Sequence, residues 1–458
     1  MKRIIYILTV VSLIFAVSCG KKDDVKVLTS EVTQITNTTA VVKGMVESNV
    51  TIGEQGVCYS SMPECSIEDS KVTSASFLTN VSCKLTGLQP ETKYYVRVYA
   101  IVNGVAYYGD ELSFTTLNQT DPDPDPEPAE PKILFVLNEG TYTYANSSLS
   151  YYDLETGAVE NNIFYRVNSS PIGDVGQSLA QNDGHLFIVV NNSNYIYKTD
   201  LNTIQYEAQL TNFNSPRYMK IVADDKAYVT DIMARGVWVI NPETMTHTKF
   251  IDTGKPTENM VLVGNNLYVT NWSKYYAPEV ENTTVQIIDT NTDQKIGEIE
   301  LTIEPNSMVL DRDNNIWVMC GGGYMEEWQD TARLYCINPV NNQITKSFVF
   351  PDIYPMCYPA YLNIDNTGSV LYYINNGKFY SMPIDAQELP TQPFITPNSG
   401  SNFYNSCVNP YNGDIYISDA KGYITSGEVY RYTSNGTFLS SFTVGLVPSF
   451  MMFKEETR

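Results

Sequence analysis

Histidine is nearly missing from this chain: two residues in 458 leave little with which to build an imidazole metal cluster or a His-dependent general base. Charge is sparse at 17% of residues, and basic charge sparser, with 29 Lys and Arg against 51 Asp and Glu. The formal net charge of −22 repels phosphate backbones and anionic bilayers, which excludes nucleic acid as a partner. The eight cysteines include no CxxC pair and no Cys/His spacing of the zinc-binding kind, so no metal site is expected. No GxSxG elbow occurs, and no glycine-rich phosphate loop precedes a helix. The longest apolar run, Ile4 to Val17, is short for a membrane span.

Aromatic residues are abundant at 12%, with 34 tyrosines, as suits a strand-rich folded protein. A phrase recurs along the C-terminal two thirds: SPRYMKIV from Ser215, KPTENMVLV from Lys255, EPNSMVLD from Glu304, YPAYLNID from Tyr358, and more loosely GQSLAQND from Gly176 and FYNSCVNP from Phe403. Each is followed within about ten residues by a second apolar run, such as LFIVV at Leu186 or IYISD at Ile415, as in a β-hairpin. A final copy, VPSFMMF from Val447, has no second run; ILFVLN at Ile133 is a second run with no first. Pairing those two ends closes seven repeats into a ring and leaves no open sheet edge. The prediction is a seven-bladed β-propeller over residues 132–458, closed by its C-terminal strand, at about 47 residues per repeat. A third strand ending in a polar Asp, Asn or Gly turn completes each repeat, GVWVINPETMTH from Gly236 being one.

Upstream, residues 118–131 carry five acidic residues and five prolines and read as a semi-rigid linker. Residues 25–117 alternate in strands broken by polar turns, the pattern of a small β-sandwich. LQPET from Leu88, YYVRVYA from Tyr94, YYG from Tyr107 and SFTT from Ser113 resemble a fibronectin type III domain, whose role here would be that of a spacer. Cys58, Cys65 and Cys83 lie in it; an odd number leaves at least one thiol unpaired, with Cys65 suited to pair with either neighbour. At the N-terminus, Lys2 and Arg3, the apolar run and Ala16-Val17-Ser18-Cys19 resemble a bacterial lipoprotein signal. That resemblance implies a signal peptide over 1–18, acylation of Cys19, and a tether over 19–24 whose Lys21-Lys22-Asp23-Asp24 resembles an outer-surface export tag.

In a propeller, the loops between second and third strands share a face with the entrances to the innermost strands. Here those loops carry Tyr142, Tyr144, Trp272, Tyr275, Tyr276, Tyr324, Trp328 and Tyr423, the composition of a surface that binds a ring-bearing ligand. Residues just after the Pro of each recurring phrase belong at the channel mouth: Gln177, Arg217, Tyr218, Glu258, Asn259, Asn306, Tyr361, Asn405 and Ser449. Met219, Met260, Met308 and Met451 recur once per repeat and read as packing between blades. His185, before a second strand, and His247, in the turn after a third, belong on the opposite face, so the expectation is a binding protein that is not an enzyme and needs no cofactor.

LYVTN at Leu267 and AYVTD at Ala227 resemble the signature of the YVTN propellers of cell surfaces and the periplasm. Asn138-Glu139-Gly140, LSYYD from Leu149, PIGDVGQS from Pro171 and VVNNS from Val189 are similar to propeller lipoproteins of gut bacteria, a family that includes surface cobalamin-binding partners of TonB-dependent transporters. The resemblance implies an outer-membrane, cell-surface lipoprotein that binds a corrinoid and delivers it to such a transporter. The alternative from the same aromatics is a glycan- or protein-binding adhesin or structural module.

Overall fold

In the computed structural model, residues 25–33, 35–74, 80–118, 131–273, 275–323, 330–352, 358–397, 401 and 403–455 are described. Cys19 with its signal and tether, the linker residues 119–130, and Tyr324 and Trp328 lie outside them. The chain divides into two compact units, Met1–Glu127 and Pro128–Arg458. Among the described residues no helix is long and apolar enough to cross a membrane.

The first unit is a two-sheet sandwich. Val25–Thr33, Ala40–Ser48 and Asn80–Leu85 form one sheet; Glu54–Ser60, Ser70–Thr73, Lys93–Val102, Val105–Tyr108 and Leu112–Thr115 form the other. Inward residues of both, among them Val42, Val57, Leu85, Val96 and Val98, make its core. Cys58 and Cys65 are buried thiols with their Sγ atoms 3.9 Å apart, and Cys83 is a third buried thiol. Of the two neighbours to which Cys65 was suited, Cys58 is the one beside it, both as free thiols.

The second unit has a β-propeller-like, all-β fold. Among the described residues it contains seven antiparallel sheets, six of four strands and one of three. In five of them the innermost, second, third and outer strands follow one another in sequence, and in the three-stranded sheet the first three do; the first sheet is assembled from both ends of the unit. There Pro448–Phe453 pairs with Ile133–Asn138, Met451 facing Val136 and Phe453 facing Leu134. The outer strands, such as Tyr206–Leu210, Gln294–Glu300 and Gln343–Val349, are absent from the three-strand sequence pattern. Most of their residues are exposed or half-buried and many are polar, so no apolar run announces them. His247 accordingly lies in the outer strand Thr246–Asp252 rather than in a turn. The short helix Ile163–Asn168, which buries Ile163 and Phe164 beside the first two sheets, was also not signalled.

Adjacent sheets pack face to face. One core cluster joins Phe187, Val189 and Ile196 of the second sheet to Met219, Val229 and Ile240 of the third; another joins Val261, Tyr268 and Ile287 to Met308, Ile316 and Val318. Met219, Met308 and Met451 are buried in these seams and Met260 is half-buried, which makes them packing residues. The Tyr of each YVT phrase links neighbours by its polar end. Tyr268 is fully buried, and its hydroxyl donates to Asn342 Oδ1 at 2.7 Å in the polar turn of the next repeat; Tyr228 reaches Asp293 in the same way.

If the terminal strand ties the unit together, a chain ending at Leu446 exposes the edge of Ile133–Asn138 and strips cover from Leu134 and Val136. Thermal unfolding should then lose its single cooperative transition. A truncated protein that melts like the full chain contradicts this role.

Candidate functional site

Six of the seven innermost strands share one irregularity. Gly176 faces Val190 but Ser178 faces Val189, which leaves Gln177 as an extra residue; the register slips in the same way at Asn306, Tyr404 and Ser449. Within Pro216–Ala223 the slip falls across Arg217 and Tyr218, and within Ala360–Ile364 across Tyr361 and Leu362. A bulge bends its strand and re-aims a side chain that would otherwise alternate between faces. Every one of these residues lines a cavity of about 1160 Å³ along the axis around which the innermost strands are arranged, with Glu258 and Asn259 at the corresponding place in the fourth sheet.

A bulge leaves an N–H outside the ladder, and in three of the sheets a hydroxyl of the second strand supplies its partner. Thr230 Oγ1 accepts from the Tyr218 N–H at 3.0 Å, Thr270 Oγ1 from Asn259 at 2.9 Å and Ser418 Oγ from Asn405 at 3.1 Å. These hydroxyls belong to the YVTD, YVTN and YISD phrases. The next residue sets the entrance loop: Asp231 accepts from the Asn214 and Ser215 N–H groups at 2.8 and 2.9 Å, and Asn271 Nδ2 donates to Pro256 O at 3.1 Å. The recurring signature is therefore the scaffold of the channel mouth.

At the centre of that mouth, Arg217 grips Glu258 with two bonds, Nε to Oε2 at 2.6 Å and Nη2 to Oε1 at 2.7 Å. Its Nη1 donates to Gln177 Oε1, and its guanidinium carbon lies 5.6 Å from the centroid of the Trp272 ring. Burial pushes the Glu258 carboxyl up from the usual carboxylate range, and the guanidinium opposes it. The pair bridges adjacent sheets. Across the mouth, Glu139 follows the second strand of the first sheet, its backbone N–H held by Val447 O at 2.8 Å. The Tyr404 hydroxyl lies 3.3 Å from both its carboxylate oxygens, and Tyr404 packs against Tyr361 and edge-on against Tyr423. Burial pushes Glu139 up to about 7, against the pull of Arg217 and hydrogen bonds from Tyr404 and Ser449. The Tyr361 and Tyr404 phenols are raised by burial and stay protonated, so they act as donors.

Of the residues expected at the site, Tyr142, Arg217, Tyr218, Glu258, Asn259, Trp272, Tyr276, Asn306, Tyr361 and Tyr423 line this cavity. Tyr144 and Tyr275 do not: Tyr144 is 73% exposed on its loop, and Tyr275 packs edge-on against Tyr276 from outside. Glu139 and Tyr404 line it without having been expected. In the phrase from Phe403 the pattern marked the neighbouring Asn405 rather than Tyr404, and Glu139 lies in a loop of which only the aromatics were singled out. Neither histidine lines the cavity: His185 pairs with Glu207 at 2.8 Å, and His247 contacts Thr211 O at 2.7 Å. Among the described residues no three His, Cys, Asp or Glu side chains are grouped to hold a metal ion.

Glu139 makes stability depend on pH. Its folded pKa near 7 lies above the ordinary 4.5, so its contribution is complete below about 4.5 and is lost as pH rises through 7. Glu139→Gln removes that loss. Relative to wild type, the variant should gain on the order of 2 °C in melting temperature between pH 5 and pH 8; a difference that stays constant across this range contradicts the assignment.

Residues 132–454 match the family model described as a domain of unknown function, DUF5074. No curated protein matches the chain. Among solved structures, a quinoprotein alcohol dehydrogenase-like protein from Bacteroides thetaiotaomicron is similar at a TM-score of 0.56 and 13% identity, covering 92% of this chain and 96% of that one. AztD from Citrobacter koseri aligns at 0.43 and 10% identity over 70% and 96%, and hydrazine synthase from Kuenenia stuttgartiensis at 0.46 and 13% over 60% and 88%. At 13% identity the first likeness is one of fold.

Proposed function

Because the chain belongs to the DUF5074 domain family, whose description leaves function open, we propose from the site itself that it is a ligand-binding protein whose channel mouth captures a ring-bearing nutrient. The observation that carries this reading is the convergence of the bulge residues on one cavity. Each bulge gives up a ladder position to turn a polar or aromatic side chain inward, and the mouth in addition buries an ion pair, an arrangement that packing alone does not require.

The finer reading has a corrinoid as the ligand. A cavity of about 1160 Å³ suits a large ligand, and Trp272, Tyr142, Tyr276 and Tyr423 offer ring surface for a macrocycle while Asn259, Asn306 and Gln177 offer amides for its periphery. In the same proposal the second unit is a seven-bladed propeller and the first a fibronectin type III-like spacer. Acylated Cys19 anchors both at the outer face of the outer membrane, where the ligand passes to a TonB-dependent transporter. A glycan fits the same aromatic faces and is the second reading.

Calorimetry on the purified full-length protein separates the two, with cyanocobalamin in one arm and oligosaccharides in the other. The corrinoid reading expects micromolar or tighter binding of cyanocobalamin and a loss of about 1–3 kcal/mol in Trp272→Ala. Silence with cyanocobalamin at micromolar protein removes it, and an unchanged affinity in Trp272→Ala moves the site off the mouth. For the anchor, Cys19→Ala should release the protein from membranes, and protease added to intact cells should cut the wild type; full protection would place it inside the outer membrane.

A further inference from the structure

We propose that Glu139 is the specificity-determining group of the channel mouth: its carboxylate accepts an N–H donor, amide or ammonium, from the ligand and turns anionic ligands away. This rests on the reading of the mouth as a binding site and names the chemistry that the site takes.

The charges at the mouth are unequally committed. All three nitrogens of Arg217 are bonded, Nε and Nη2 to Glu258 and Nη1 to Gln177, and the face of the guanidinium lies over Trp272. The arginine that lines the cavity among the described residues is thus consumed within the protein, and Glu258 is neutralised by it. Lys220, the other lining cation, lies three residues further along the strand Pro216–Ala223 and is exposed. Glu139 has no such partner among the described residues. Its bonds come from neutral hydroxyls, Tyr404 at 3.3 Å to each oxygen and Ser449. At 3.3 Å an O–H to carboxylate bond is long, well beyond the usual 2.5–2.7 Å, so the carboxylate retains capacity to accept. An anionic ligand meets a carboxylate that Arg217 offsets only through space, and the one unpaired cation among the described lining residues, Lys220, sits further along the strand and in solvent. A ligand with N–H donors supplies the missing bonds, and the tyrosine rings around it suit the positive edge of such a group.

The charged and titratable groups facing Glu139 are Arg217, Tyr404, Tyr361 and Tyr218. The phenols stay protonated and Arg217 stays charged, so between pH 6 and 8 the group among them that changes state is Glu139, poised near 7. Affinity for an N–H donor should therefore rise with pH through this range.

The test is calorimetry on the full chain with two matched pairs of probes: cyanocobalamin against its monocarboxylic acid, in which one peripheral amide is hydrolysed, and chito-oligosaccharides with free amines against oligouronates. Within the pair that binds, the N–H member should bind at least tenfold more tightly than its acid and should weaken about tenfold from pH 8 to pH 6. Glu139→Gln should abolish that pH dependence and most of the discrimination. Tyr144→Ala, outside the cavity, should change neither. Equal binding of amide and acid, a preference for the acid, or a Glu139→Gln profile identical to wild type overturns the proposal, and so does failure of all four probes at millimolar concentration. The corrinoid reading stands or falls separately: it survives if cyanocobalamin and its acid bind equally, and it fails if only an amino-sugar binds.

Discussion

An innermost strand with one residue too many is the constraint from which the rest of this structure follows. Each bulge breaks the ladder at the channel mouth and frees a backbone N–H that cannot be left without a partner. In the third, fourth and seventh sheets a Thr or Ser hydroxyl of the neighbouring second strand takes such an N–H, and in the third and fourth the Asp or Asn beside it fixes the loop by which the chain arrives, as Thr230 and Asp231 do for Tyr218 and Ser215. Once the backbone is satisfied in this way, the extra side chain is free to face the axis. Repetition then assembles Gln177, Arg217, Asn306, Tyr404 and Ser449 around one cavity from strands far apart in sequence.

The energetics divide along the same line. Between sheets the interactions are those of a packed core, with Met219, Met308 and buried tyrosines filling seams and each large buried side chain contributing about 1.5–3 kcal/mol. At the mouth the terms oppose folding. Burial raises both Glu139 and Glu258, and Arg217 offsets the cost at Glu258 through a bidentate bond but at Glu139 only through space. An imperfectly compensated carboxylate among tyrosines is a local cost of the kind that the proposed binding role would explain.

Much of this was legible in the residues. The recurring phrase after Pro marked the innermost strands, and the unmatched copies at Ile133 and Val447 pointed to a sheet built from both ends, which is how Ile133–Asn138 and Pro448–Phe453 pair. Three kinds of feature were not legible, each for a physical reason. Outer strands such as Gln294–Glu300 expose most of their side chains and so carry no apolar pattern. Tyr404 owes its place to a register slip, which is a property of two strands together and leaves no mark on one. Glu139 matters because of what surrounds it, Tyr404 from some 260 residues away and Ser449 from the terminal strand, and a lone carboxylate after a strand looks the same whether or not such neighbours exist. Rim tyrosines erred the other way: Tyr144 has the composition of the site but a loop that carries it outward.

The central claim is that the bulge residues form a binding site at the mouth of the channel. Hydroxyl-radical footprinting of the full chain, with and without the tightest ligand found by calorimetry, tests it most directly, because each aromatic side chain reports its own exposure. The account predicts protection of Tyr142, Trp272, Tyr276 and Tyr423, with Tyr144 as reactive as in the free protein. Protection confined to Tyr144, to the outer strands or to the N-terminal sandwich would contradict it.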